Sequence, residues 1–160
     1  MRGGVLVIAA TAVLLLAACG SGGGGSTSAR LTASQYKAEL VKVKAQAAAA
    51  QAGVAQGLQA KSVHELQARL DAFAATVQHI GDEVAKLNPP ANAEAANTEL
   101  ANGLHETARA TRAASASIAS LHTAQAAISY LEHSVANQKG AHQVDDALAK
   151  LKQLGYTSGS

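Results

Sequence analysis

The side chains able to do chemistry are few, and their spacing narrows them further. Six histidines are the obvious metal ligands: His64, His79, His105, His122, His133 and His142. No two stand three or four residues apart, so no helix presents a histidine pair on one face. Neither HExxH nor the Glu-x-x-His pairs of di-iron bundles occur. The best local pair is His79 with Glu83, one helical turn on. On the heptad count given below, His64, His79 and His105 fall off the apolar seams, which is where solvent-facing histidines sit. No metal ligand set is expected. Haem is not expected either, since Met1 is the only methionine and Cys19 the only cysteine, which leaves neither a Met/His axial pair nor a CxxCH attachment. Nucleophile and phosphate signatures are absent: there is no GxSxG or P-loop, and no GxGxxG outside the Gly/Ser run at residues 20–26. Ser115, Ser117 and Ser120 fall inside a helical run, where hydroxyls bond their own backbone. His105, Arg109 and Arg112 make a basic stripe suited to an anion, but Glu106 stands among them and points to a solvated charged face. The expected catalytic, cofactor-binding and metal sets are therefore empty, and an enzyme is the least favoured class.

Cys19 is the exception, because of what precedes it. Met1 and Arg2 give a short positive start, Val5 to Leu16 is apolar and uncharged, and the small residues Ala17 and Ala18 follow. That order is a secretory signal peptide. The apolar run is shorter than the ~20 residues a membrane-spanning helix needs. Leu16-Ala17-Ala18-Cys19 resembles the bacterial lipobox, Leu-(Ala/Ser)-(Gly/Ala)-Cys. The resemblance covers only the leader. It implies that the Cys19 thiol receives a diacylglyceryl group, that a signal peptidase recognises Leu16, Ala17 and Ala18, and that cleavage makes Cys19 the new N-terminus. Sulfur is the nucleophile that forms the thioether, and small residues before it fit a peptidase cleft. Each buried acyl CH₂ contributes about 0.8 kcal/mol, and a diacylated cysteine supplies the two chains that stable anchoring takes. A lipidated Cys19 leaves no thiol for a disulfide, although an exported compartment permits one.

The formal charge is +2, of which Arg2 in the leader supplies one. A near-neutral mature chain with interspersed charges does not suit nucleic acid, which needs a basic patch or stripe. There is no tryptophan, one phenylalanine and three tyrosines, while alanine abounds. Such a chain forms helices readily around a thin core, since aromatics supply the largest buried areas. Residues 19–31 read as the lipidated cysteine and a Gly/Ser tether, flexible and disordered, reaching on the order of 20 Å as a random coil. Residues 32–156 read as one helical domain and residues 157–160 as a polar tail.

Within the domain, Thr32 and Gln35 form a capping box, with Leu31 and Tyr36 as its hydrophobic staple. The apolar face continues through Leu40, Val43, Ala47, Ala50 and Val54. Ser62 and Glu65 open a second helix by the same device. Its seam, Val63, Leu66, Leu70, Phe73, Val77, Ile80, Val84 and Leu87, steps by three and four without a miss. Phe73, mid-seam, is expected to be buried and to be among the most damaging residues to truncate. Glu65–Arg69 and Asp82–Lys86 are expected as i,i+4 ion pairs. Asn88-Pro89-Pro90 ends this helix. A third helix follows, with Leu100, Leu104, Thr107, Thr111, Ala114, Ile118 and Leu121 as a more polar seam, and its serine-rich second half is where a groove is expected. Thr123 caps a fourth, with Ile128, Leu131 and Val135 inward, and Lys139-Gly140 reads as its stop. A short last helix, Gln143 to Leu154, points Val144, Leu148 and Leu151 inward. Gly155 and Tyr156 close it as a Schellman motif. Leu31-Thr32-Ala33-Ser34-Gln35 is also similar to the LTxxQ motif of periplasmic helical-hairpin stress chaperones, but it occurs once and capping accounts for every residue in it. The stretches Leu87-Asn88-Pro89-Pro90 and Leu151-Lys152-Gln153-Leu154-Gly155-Tyr156 resemble small exported actinobacterial helical lipoproteins, which implies a location rather than an activity.

The expected fold is all-α: an up-down-up-down antiparallel four-helix bundle with a short extra C-terminal helix. An extended helical hairpin that completes its core by oligomerising is the alternative. The expected function is a lipid-anchored envelope protein, its domain on the extracytoplasmic side, acting as a non-catalytic binding or interaction module toward a protein or another envelope component. The alternatives are a structural spacer lipoprotein without a ligand and, last, a bundle that binds a metal or small molecule.

Overall fold

A computed structural model describes residues 29–57, 60–135 and 139–157. The expected signal peptide, Leu16-Ala17-Ala18-Cys19, the expected tether as far as Ser28, the side chains of Val54 and Val135, and Ser158 to Ser160 lie outside the described residues. Alanine-rich runs without proline give α1 (Ala33–Gly57), α2 (Val63–Lys86), α3 (Glu94–Ile118), α4 (Ala124–Val135) and α5 (Lys139–Gln153). A 3₁₀ turn at Ala91–Ala93 leads into α3. The fold is all-α, with no strand among the described residues.

The caps form as side-chain chemistry dictates. Thr32 Oγ1 accepts from the Gln35 N–H at 3.3 Å, and Gln35 Oε1 accepts from the Thr32 N–H at 2.9 Å. Ser62 Oγ accepts from the Glu65 N–H at 3.1 Å, but Glu65 reaches one residue further back than a capping box requires, to the Lys61 N–H. Thr123 caps α4 through the Ala126 N–H. At the far end of the chain Gly155 has φ 78°, a conformation glycine adopts without a Cβ penalty. The Tyr156 N–H then reaches the Leu151 carbonyl and the Gly155 N–H the Lys152 carbonyl, the two bonds of a Schellman motif.

Helix α3 lies at the centre, packing against α2 and α5, while α1 packs on α2. Polar contacts cross these interfaces: Gln46 of α1 meets Glu83 of α2, His105 of α3 meets Asp82 of α2, and Lys150 of α5 meets Glu99 of α3. One core cluster joins Tyr36, Leu40, Val77, Ile80, Val84, Leu100, Leu104, Leu151 and Tyr156. A second, smaller one joins Leu66, Leu70, Ala114, Ile118, Ala127 and Leu131. Between them Ala74 and Ala108 are fully buried and Thr111 is nearly so, so small side chains fill the middle of the α2–α3 contact.

The pole where α1 begins, α2 ends, α3 begins and α5 ends is the most heavily bonded. Buried Tyr36 donates to Asn97 Oδ1 at 3.0 Å, and Asn97 Nδ2 donates to the Val84 carbonyl at 3.0 Å. The Val84 carbonyl, in the last turn of α2, also accepts from the Leu87 N–H, so Asn97 gives it a second donor. Tyr156 packs edge-on against Tyr36, ring centroids 5.2 Å apart, and its hydroxyl donates to Asn92 Oδ1. Two of the three tyrosines thus supply the aromatic area that the rest of the core lacks. The Leu31 N–H bonds the Asn88 carbonyl, and Arg30 bonds the Pro89 carbonyl and Glu94.

Several expectations are corrected. Lys139-Gly140 does not stop a helix: it is the first turn of α5. A Cβ at Gly140 would lie 2.5 Å from the Thr107 backbone nitrogen and 2.9 Å from the Gly103 carbonyl oxygen, so glycine here serves close approach to α3. The last helix is consequently longer than read, 15 residues against 12 for α4, and it is α5 that covers α3. Leu148 points outward, 38% exposed, and Ala147 takes the inward place. Phe73 is half-buried; fully buried Ala74 beside it faces the core. Asp82 turns to His105 and Gln78 rather than forming an ion pair with Lys86. Glu65–Arg69 forms as expected, at 2.8 Å.

Candidate functional site

A polar concavity lies where α5 begins against the middle of α3. Asn102, His105, Glu106 and Arg109 are one face of α3, spaced three, one and three residues apart, and Lys139 and Gln143 are one turn apart on α5. The cleft has a volume of about 310 Å³. It exists because Gly103 and Gly140 let the two backbones meet: a Cβ on Gly103 would come within 2.9 Å of the Val144 nitrogen. The close contact carries Lys139 and Gln143 up to the polar edge of α3.

The charges in this cleft are largely committed to one another. Arg109 pairs with Glu106. His105 Nε2 lies 3.0 Å from Asp82 Oδ1 on α2. Hydrogen bonds from Gln78 and from His105 hold the Asp82 carboxyl below its ordinary range. The His105 ring lies over Gly81, where a Cβ would meet it at 2.5 Å. Such an arrangement offers amide and cationic groups to a ligand but no spare general base within it.

The other singled-out residues do not converge. His79 pairs with Glu83 at 3.3 Å, and His133 Nδ1 lies 2.7 Å from the Ser129 carbonyl one turn back. His64, His122 and His142 are exposed. Among the described residues no three of His, Cys, Asp and Glu gather as a ligand set. Of the basic stripe, His105 and Arg109 reach the cleft, while Arg112 leans toward Gln78. Ser117 bonds the Ala113 carbonyl of its own helix, as expected, and Ser115 is buried, whereas Ser120, expected inside the helix, lies past the end of α3 and bonds the Ser117 carbonyl. The groove expected at the serine-rich half of α3 is not where the polar cleft lies; that cleft sits earlier in the helix, at Asn102 to Arg109. A second shallow hollow, about 300 Å³, lies between α1 and α2 and is lined by Ala49, Ala50, Gly53 and Phe73. Lys139 and Gln143 were not foreseeable as cleft residues, since their place depends on α5 packing against α3. The one local signal was glycine at 103 and 140. Among the described residues no helix is long and apolar enough to cross a membrane. Comparison with protein-family models, with curated proteins and with solved structures finds no match to this chain.

Proposed function

We propose that this chain is an exported envelope lipoprotein, held to the membrane by lipid on Cys19, whose helical domain is a non-catalytic binding module. In this reading the domain is an up-down-up-down bundle in which α4 and α5 share the fourth arm. The observation that carries the proposal is the order of the leader: an apolar run, then Leu16-Ala17-Ala18-Cys19, then a Gly/Ser segment, then a folded unit. A cysteine placed there has one chemistry that fits its neighbours, thioether formation followed by cleavage before it. The binding reading is supported by the cleft at the start of α5, whose amides and cations converge while its carboxylate is tied to Arg109. A protein or another envelope component is the proposed partner.

A photoreactive residue at Asn102, which lines the cleft, is compared with one at exposed Ser120 in the full chain on intact cells. A discrete adduct from Asn102 and none from Ser120 is expected. No adduct from either, in a chain that reaches the envelope, would instead make it a spacer lipoprotein without a ligand.

A further inference from the structure

From the bonds that tie Arg30 and Leu31 to the Asn88-Pro89 corner and the charges around it, we infer that the domain rests its proline pole, the end holding Pro89 and Pro90, on an anionic lipid surface. This rests on the lipid-anchor reading of Cys19 and adds to it an orientation and a lipid class.

Residues 20–28 separate Cys19 from Ala29 and span at most about 3.3–3.6 Å each. The chain is then fastened at Arg30 and Leu31 to the Asn88-Pro89 corner. The attachment point is therefore that corner, not a swinging arm further up α1. The opposite pole, where α3 ends, is about 37 Å away for a helix of this length, at 1.5 Å per residue over 25 residues.

Five cations lie close to the corner. Arg30 precedes α1, Lys37 is in its first turns, Lys86 ends α2, and Lys150 and Lys152 are in the last turn of α5. Nearby acids are engaged. Glu94 takes Arg30, Glu99 takes Lys150, and Glu83 takes His79 and Gln46. Lys37, Lys86 and Lys152 have no acid within ion-pair distance among the described residues and are exposed. At the opposite pole Lys61 stands beside Glu65, whose carboxylate accepts its N–H and pairs with Arg69. Lys44, Lys61, Arg112 and Lys139 also have no acid within ion-pair distance among the described residues, but they are spread over other parts of the domain, whereas Lys37, Lys86 and Lys152 gather with Arg30 at the end the tether attaches to. Basic side chains within a Debye length of anionic headgroups are attracted to them.

The chain has no tryptophan, so a single introduced one is a clean probe. Acylated full chain carrying Ala91→Trp, at the proline pole, or Ser120→Trp, at the opposite pole, is reconstituted in two kinds of vesicle. One is phosphatidylcholine alone and the other is phosphatidylcholine with phosphatidylglycerol, both containing a headgroup-nitroxide lipid. Mass measurement of the N-terminal peptide comes first: a chain without acyl groups removes the anchor reading and this inference with it. For acylated chain in anionic vesicles, quenching of the Ala91→Trp probe should exceed that of the Ser120→Trp probe several-fold and should weaken in phosphatidylcholine alone. K37E/K86E/K152E should bring the Ala91→Trp quenching down toward the level of Ser120→Trp, with an unchanged circular dichroism melt. Equal quenching at the two poles, or quenching at Ala91→Trp that the triple variant does not alter, overturns the inference and leaves the anchor standing.

Discussion

Tyr36 is held on every side: its ring is 0% exposed, its hydroxyl donates to Asn97, and the edge of Tyr156 meets its face. Burial, with the Tyr156 hydroxyl adding to it, pushes the Tyr36 hydroxyl from 10.0 up to about 12. Between roughly pH 10 and 12 the unfolded chain gives up this proton while the folded chain keeps it. The unfolded state then binds fewer protons, and stability falls as pH rises through that window. Tyr36→Phe removes this contribution but leaves Asn97 Oδ1 buried without its donor, a loss of about 1–3 kcal/mol at neutral pH. Thermal melts should show the variant well below the wild type at pH 8 and the gap narrowed at pH 11. A gap that stays constant would mean that Tyr36 is not the group that resists ionisation. Neither Tyr36 nor Asn97 was legible as part of a pair. Tyr36 reads locally as a staple, and asparagine reads as a surface residue until partners from other turns, here the Tyr36 hydroxyl and the Val84 carbonyl, give it a buried task.

At the scale of the element, α2 was the easiest to read and α5 the hardest. The α2 seam is built of large residues at steps of three and four, and no tertiary fact was needed to see that Leu66, Leu70, Val77, Ile80 and Val84 face inward. The same pattern overstated Phe73, because a helix drifts against a strict heptad and hands the inward place to Ala74. Phe73→Ala should therefore cost less than Leu100→Ala, which removes a 1%-exposed side chain and should cost about 2–5 kcal/mol. Denaturant midpoints compare the two directly, and the reverse order would contradict the packing described. Glycine in α5 misled because a glycine beside a lysine is a common helix stop, whereas here it lets two backbones touch. Gly140→Ala gains helix propensity of about 0.8–1 kcal/mol. It nevertheless pushes a methyl into the Thr107 and Gly103 backbones, for which overpacking costs typically about 1–3 kcal/mol. The net should be a lower melting temperature, together with disturbed amide signals at Gly103 and Thr107. A rise would mean that α5 does not sit this close to α3.

At the scale of the whole molecule, the leader and the domain make separable statements. The helical class was legible from alanine content and caps, while the proposed location rests on a few residues around Cys19. The cleft at the start of α5 was not legible, since it needs α3 and α5 side by side. Separability has a consequence. Cys19→Ala should change where the chain resides, with no shift in the melting of residues 29–157, because the bonds that hold the start of the bundle among the described residues are made by Arg30 and Leu31, well past Cys19. Fractionation of cells with melting of the purified chains tests both halves, and a destabilised domain would contradict the independence of anchor and fold.

The central claim is that Cys19 carries the lipid that holds this protein to the membrane, and metabolic labelling with a fatty acid tests it most directly. Cells expressing the wild type and Cys19→Ala are grown with labelled fatty acid, and the purified chains are read for label and for the mass of the N-terminal peptide. The account predicts label in the wild type on a peptide that begins at Cys19, and none in Cys19→Ala. Label that persists in Cys19→Ala, or a wild-type chain that carries none, would contradict it.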